Sequence, residues 1–175
     1  MENGTVLAVL SAAERGQVLL ALLEAHPDLV PEAEEIGRRM LGSGDWTAVA
    51  QDVSAALRGL RLSDLAERAG PQWGGGYVDL RVAAWELLDE VMRPYREDLA
   101  RRVRAGASQA ALEIGLGLLA GLYACREDRA CEPALVQAGM PDVIDFQADR
   151  LRRTLKEHRL EVPGDWLGEH CAKWS

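Results

Sequence analysis

The longest apolar run in the chain, Ala110 to Cys125, is the feature that most constrains its fold. It is 16 residues long and carries a single charge, Glu113. A helix needs about 20 apolar residues to span a membrane, so we interpret this shorter run as the buried helix of a core. Gly117 and Gly121 lie one helical turn apart within it, although each glycine costs a helix about 1 kcal/mol relative to alanine. The spacing therefore predicts a central helix that a second helix approaches closely.

Apolar residues recur at helical spacing along most of the remaining sequence. Ser11 and Glu14 form a capping box before an apolar helix that His26-Pro27 ends, and Pro31 begins the next helix. Because their connection is short, we expect these two helices to pack as an αα-hairpin. Further helices are predicted from Asp45 or Thr47 to Leu60, from Ser63 to Ala69, from Asp79 to Gly106 and from Asp142 to Arg159.

These patterns predict an all-α fold and no β-strand. The expected architecture is a single-domain bundle of six or seven helices built from helical hairpins, with residues 109–125 as the central buried helix. Pro94 lies inside a helical pattern and predicts a kink or break near Met92-Arg93, because proline lacks a backbone donor. Phe146 falls on the predicted inner face of the last long helix.

The chain length of 175 residues suits one domain. We predict an all-α domain over residues 1–160 and a tail over residues 161–175 that contains Trp166 and Trp174. Two tryptophans in so short a tail would not stay hydrated. The tail is therefore expected to dock on the domain or on a partner subunit.

Charge and cysteine content indicate the compartment and the kind of partner. The formal net charge of −8 argues against a general binder of nucleic acids or anionic membranes, which needs a positive face. The first residues lack the basic start of a secretory signal, and three cysteines fit a reducing cytoplasm. We therefore expect a cytoplasmic protein without a membrane anchor, whose partner is another protein or a second copy of itself.

A glycine-rich loop is the first candidate ligand site. It contains Trp73, Gly74, Gly75, Gly76 and Tyr77, directly before a helix that Asp79 caps. Glycines let backbone N–H groups approach an anion at a helix N-terminus. The loop has neither the lysine of a phosphate-binding loop nor a preceding strand, and Asp79 would compete with the anion. The alternative is a sharp turn whose Trp73 and Tyr77 pack into the core.

Glu113 is the second candidate ligand residue, because a lone carboxylate in an apolar helix can serve as an acid or base. An arginine partner among Arg101, Arg102 and Arg104 would instead make it part of an ion pair. Zinc is not predicted, since Cys125, Cys131, His170 and Cys171 have poor spacing for one ion. The sequence assigns no catalytic residue, metal or cofactor.

Two basic clusters, residues 93–104 and 150–159, depart from the acidic average. These clusters and a tryptophan of the tail supply the candidate partner-binding residues. They are Arg93, Arg96, Arg101, Arg102, Arg150, Arg153 and Trp174. On one surface they could bind nucleic acid or an acidic protein. Alternatively, they pair with acidic residues of the same chain or of a neighbouring subunit.

The function that these features favour is a non-enzymatic helical protein–protein interaction or adaptor module that forms a homo-oligomer or binds another protein. One alternative is a small-molecule-binding protein or enzyme that uses the loop at residues 73–79 and Glu113. A second alternative is nucleic-acid binding through the arginine clusters at residues 93–104 and 150–159.

Overall fold

The computed structural model describes residues 5–71, 73–127 and 140–174. Most of these residues are helical, which confirms the all-α class. The chain divides into two compact units, residues 1–40 and residues 41–175. A single bundle of six or seven helices is not confirmed, because the described residues contain nine α-helices in these two units.

The first unit contains α1 (Thr5–Val9), α2 (Ala12–Ala25) and a short 3₁₀ turn, and α3 (Val30–Gly42) begins within it. The capping box is confirmed: Ser11 Oγ accepts a hydrogen bond from the Glu14 N–H at 3.3 Å, and Glu14 Oε2 accepts one from the Ser11 N–H at 2.8 Å. No described side chain of residues 6–40 is buried. The predicted αα-hairpin therefore has no core of its own, and α2 leaves Val18, Leu19 and Leu22 exposed.

The second unit contains the remaining helices and one small sheet. Its helices are α4 (Trp46–Arg58), α5 (Leu62–Arg68), α6 (Leu80–Arg104), α7 (Ser108–Glu127), α8 (Met140–Glu157) and α9 (Gly164–His170). Strands β1 (Gly70–Pro71) and β2 (Tyr77–Val78) pair antiparallel, with Gly70 opposite Val78. The expectation of no strand is wrong here, because the turn at Gly74 and Gly75 folds the chain back on itself.

Helix α7 lies in the core of the second unit. Eleven of its residues are buried, and α4, α6 and α8 pack against it. By length and composition α7 could cross a membrane, but 61% of its apolar stretch is buried inside the structure. That burial is typical of the core helix of a soluble protein.

The glycines of α7 let the backbone of α4 lie directly against it. A Cβ atom at Gly117 would lie 2.6 Å from the Trp46 carbonyl oxygen and 2.5 Å from Val49 Cβ. At Gly121 it would lie 2.7 Å from Val53 Cβ. These distances are shorter than van der Waals contact, so only glycine allows the α4–α7 packing seen here.

Helix α6 continues through Pro94, so a helix break there is wrong, whereas a kink near Met92-Arg93 stays a prediction. Pro94 and the nearby Glu90 are exposed, and water can therefore hydrate the carbonyl that proline leaves without a donor. In addition, the Arg96 guanidinium donates to the Asp89 carbonyl oxygen at 3.2 Å. The exposed position of the proline thus explains why α6 is not interrupted.

Helix α8 ends in a Schellman motif with an unusual residue. The Leu160 N–H donates to the Leu155 carbonyl at 2.9 Å, and the Arg159 N–H donates to the Lys156 carbonyl at 3.0 Å. Arg159 has a φ of 57°, the left-handed conformation in which this motif usually places glycine. The reversal directs Leu160 into the core and leads the chain back alongside α8.

We predict that Gly117→Ala destabilises the protein by about 1–3 kcal/mol, because the new methyl group overlaps Trp46 and Val49. The free energy of unfolding in urea measures the loss. Gly168→Ala is the matched control, since a Cβ at that α9 position meets no atom within 4 Å. Equal effects of the two substitutions would contradict the role assigned to the α4–α7 contact.

We predict that Arg159→Gly stabilises the protein by about 1 kcal/mol, since glycine adopts left-handed backbone without the steric cost of a Cβ. Thermal unfolding of the variant and of Arg159→Ala tests this, because alanine removes the same side chain but keeps the Cβ. Equal stability of the glycine and alanine variants would show that backbone strain at residue 159 is negligible.

Candidate functional site

The glycine-rich loop forms the tip of the β1–β2 hairpin. Gly74 and Gly75 have φ angles of 113° and 94°, which favour glycine. Trp73 and Tyr77 are exposed, so the alternative in which both pack into the core is wrong. Asp79 Oδ1 accepts a hydrogen bond from the Arg81 N–H at 2.8 Å, and its carboxylate therefore occupies the N-terminus of α6.

Glu113 is half-buried on α7. Gln109 Nε2 donates to its Oε1 at 2.9 Å, and the Gly44 backbone lies against its side chain. Among the described residues no arginine pairs with Glu113, so the suggested ion pair is wrong. The two grooves described below are lined by neither Glu113 nor the glycine-rich loop.

Much of the first arginine cluster is engaged in contacts within the second unit. Arg101 and Arg102 both pair with Asp98. Arg102 also donates to the carbonyl oxygens of Leu41, at 2.6 Å, and Ser43. These contacts give Arg102 a structural role, whereas Arg93 and Arg104 are exposed and form no ion pair with a described residue.

Asp89 links the two arginine clusters. Its Oδ1 lies 2.8 Å from Arg96 Nη2 and accepts a hydrogen bond from Arg150 Nη1 at 3.0 Å, and Arg96 Nη1 donates to Gln147 Oε1 at 3.4 Å. Asp89 therefore ties α6 to α8. The two clusters therefore meet here, but the Asp89 carboxylate lies between their arginines and offsets their positive charge.

The remaining cations of the second cluster line a separate groove of about 780 Å³, which we call the basic groove. The cations of this groove lie in the last turns of α8 and in the turn that follows. Two carboxylates flank the cations, and the apolar residues of the groove come after the turn. The lining residues are Asp149, Arg152, Arg153, Lys156, Arg159, Leu160, Glu161, Val162 and Leu167. Within the described parts of the chain, Arg152, Lys156 and Arg159 form no ion pair. The sequence indicated the charges but not the groove, which depends on the left-handed turn at Arg159.

A second groove, of about 480 Å³, lies between the first turns of α6 and α8. It is lined by Val82, Trp85 and Phe146, with Arg81 and Asp142 at its rim. We call these five residues the aromatic surface. Arg81 Nη2 lies 3.0 Å from Asp142 Oδ2. Phe146 is 51% exposed and Val82 is 48% exposed, so the prediction of Phe146 on the inner face is wrong. Helical spacing missed this because Val143, Ile144 and Gln147 already fill the buried face of α8.

The C-terminal tail contacts α7 and α8 of its own chain. Trp174 Nε1 donates to Asp145 Oδ1 at 2.8 Å, and its ring lies edge-on to Tyr123 at 5.1 Å. Lys173 Nζ donates to Glu127 Oε2 at 2.5 Å. Trp166 is buried against Trp46, with ring centroids 5.4 Å apart. These contacts occupy Trp174, a predicted partner-binding residue.

The described residues contain no group of three histidine, cysteine or carboxylate side chains able to hold a metal ion. Cys125 and Cys171 are both buried, and Cys131 lies outside the described residues. Burial raises the pKa of the Cys171 thiol to about 11, which keeps it protonated and a poor nucleophile at neutral pH.

Comparison of the chain with protein-family models, with curated proteins and with solved structures yields no match. The geometry of its own surfaces therefore carries the functional argument.

We predict that the Asp145 carboxylate stabilises the fold above about pH 4 and that this contribution disappears in acid. Arg126 donates to both Asp145 oxygens, at 2.7 and 3.1 Å, and these bonds, followed by the one from Trp174, hold the pKa of Asp145 below its usual range. A carboxylate with a lowered folded pKa stabilises above its unfolded pKa and ceases to do so as pH falls through the folded value.

Urea unfolding of wild type and Asp145→Asn between neutral pH and pH 2 measures this contribution. We expect a difference of about 1 kcal/mol at neutral pH, kept small because the pair is partly exposed and screened by water. The difference should shrink below about pH 4. Glu67→Gln, an exposed carboxylate on α5 without a hydrogen bond to a described residue, is the control. A difference that stays constant down to pH 2 would refute the prediction.

Proposed function

We propose that this protein is a non-enzymatic helical interaction module that associates with a second copy of itself through the aromatic surface. The observation that carries the proposal is the exposure of Val82 and Phe146 beside Trp85, in a groove between two helices. Aromatic and aliphatic side chains left in water beside one another are common at protein interfaces.

The charges at the rim favour a second copy of the chain as the partner. Arg81 and Asp142 carry opposite charges on the two helices that border the groove. In a two-fold dimer the same patch faces itself, so the Arg81–Asp142 pair of one copy can lie beside that of the other with opposite charges adjacent. The interface can form in this way although each chain has a net charge of −8.

Further apolar side chains are exposed on the segment that leads into α6. Leu80 is exposed on the first turn of α6, directly after the hairpin that carries the exposed Tyr77 and Trp73. Tyrosine and tryptophan are enriched among the residues that dominate binding energy in interfaces. Residues predicted from sequence as ligand-binding thus fit a protein contact better than a small molecule.

The two alternative functions have weaker support. The loop and Glu113 offer little to a small molecule, because Asp79 occupies the helix N-terminus and Gln109 binds the Glu113 carboxylate. A nucleic-acid site that spans both arginine clusters would have fewer cations available, because Arg96, Arg101, Arg102 and Arg150 pair with aspartates. A cytoplasmic location is part of the proposal, in keeping with the burial of Cys125 and Cys171.

We expect the full chain to be dimeric at tens of micromolar, and Phe146→Glu to be monomeric, because a carboxylate would be buried unpaired in the interface. Light scattering after size-exclusion chromatography measures both masses. Leu62→Glu is the matched control. The exposed fraction of Leu62, 49%, is similar to the 51% of Phe146, but Leu62 lies on α5 outside the aromatic surface.

A monomeric wild type would refute self-association. Equal dissociation by Phe146→Glu and Leu62→Glu would refute the aromatic surface as its site. Leu19→Glu, on the exposed face of α2, provides a further comparison. If only this variant dissociated the dimer, the interface would lie in the first unit and the present assignment would be wrong.

A further inference from the structure

We propose that the basic groove is a second binding site, which takes an acidic, amphipathic helical segment of a partner protein. This goes beyond the proposed self-association, because the groove uses residues at the end of α8 and in the turn that follows, and it does not depend on the aromatic surface. Three features of the groove support this: cations without an ion-pair partner among the described residues, an apolar floor and the left-handed turn at Arg159.

Three cations of the groove are available to bind an anionic partner. Arg152 and Lys156 lie one turn apart on α8, and Arg159 follows at the helix end. None of the three pairs with a carboxylate among the described residues, in contrast to Arg96, Arg101 and Arg102 on α6. The Arg152 guanidinium can bind a carboxylate through two N–H groups, and the Lys156 ammonium can bind a second as a point charge. Acidic side chains at three- and four-residue steps could therefore meet the two cations in turn.

The floor of the groove adds an apolar requirement. Leu160, Val162 and Leu167 lie beside the cations. An amphipathic helix satisfies both demands at once, with leucine-like side chains on the floor and acidic side chains toward the cations. A volume of about 780 Å³ leaves room for several such side chains.

Nucleic acid fits the groove less well. No aromatic side chain lines it, so bases would find no stacking partner. Asp149 and Glu161 flank the cations and would repel a backbone with a phosphate at every step. The mixture of charges therefore favours a protein segment with separated acidic residues.

Arg159 supplies an independent reason to regard the groove as functional. Its backbone is left-handed, where glycine is preferred, yet a long cationic side chain stands there and lines the groove. A residue kept in a costly conformation at a concave site suggests a role for its side chain.

The test measures the fluorescence anisotropy of a labelled helix-forming peptide titrated with the full chain. The peptide is about 18 residues long, long enough to populate a helix, with glutamates along one edge and leucines along the other. We expect binding that weakens as sodium chloride is raised. Arg152→Gln and Arg159→Gly should each weaken it roughly two- to fivefold, whereas Arg104→Gln, an exposed arginine of α6 outside the groove, should leave it unchanged.

Arg159→Gly separates binding from folding, because the substitution should raise the melting temperature while it lowers affinity. Several results would overturn the proposal: no peptide binding, equal binding of a peptide with glutamine in place of glutamate, or equal effects of Arg152→Gln and Arg104→Gln. Binding of oligothymidylate or inorganic phosphate that is stronger than peptide binding and is lost in Arg152→Gln would assign the groove to phosphate ligands instead. If Phe146→Glu is monomeric yet binds the peptide normally, the two sites are independent.

Discussion

The contact between the backbone of α4 and the glycines of α7 is the constraint on which the second unit depends. Gly117 and Gly121 have no side chain, so the carbonyl oxygens of Trp46 and Ala50 on α4 can lie 2.6 and 3.0 Å from where their Cβ atoms would be. Val53 and Leu57 of α4 are then fully buried in the core. The helical cost of the glycines, about 1 kcal/mol each, is offset by the dispersion contacts that close approach allows.

A third glycine of α7, Gly115, lies against a side chain of α8. A Cβ at Gly115 would lie 2.5 Å from a methyl group of Leu155, so α8 also packs tightly. Asp89 then joins α6 to α8 through Arg96 and Arg150. With α8 fixed in this way, its first turns form the aromatic surface with α6, and its end forms the basic groove. One helix thus carries both proposed binding sites at opposite ends.

The sequence predicted what depends on local chemistry. The Ser11 capping box, the Asp79 cap and the buried character of α7 follow from residue types at fixed spacing. Features that depend on tertiary placement were missed. Phe146 has the right period for the core, but its neighbours fill that face, and Pro94 leaves α6 intact because it faces water. The basic cluster was visible in the sequence, whereas its division into paired and unpaired cations required coordinates.

The left-handed arginine at the end of α8 also bears on how this chain can evolve. Every arginine codon is a single base change from a glycine codon, so the residue that suits this turn best is always within immediate reach. Selection for thermal stability alone would therefore favour glycine at position 159. The same exchange would raise stability and weaken the binding proposed for the basic groove, so folding and binding place opposite demands on residue 159.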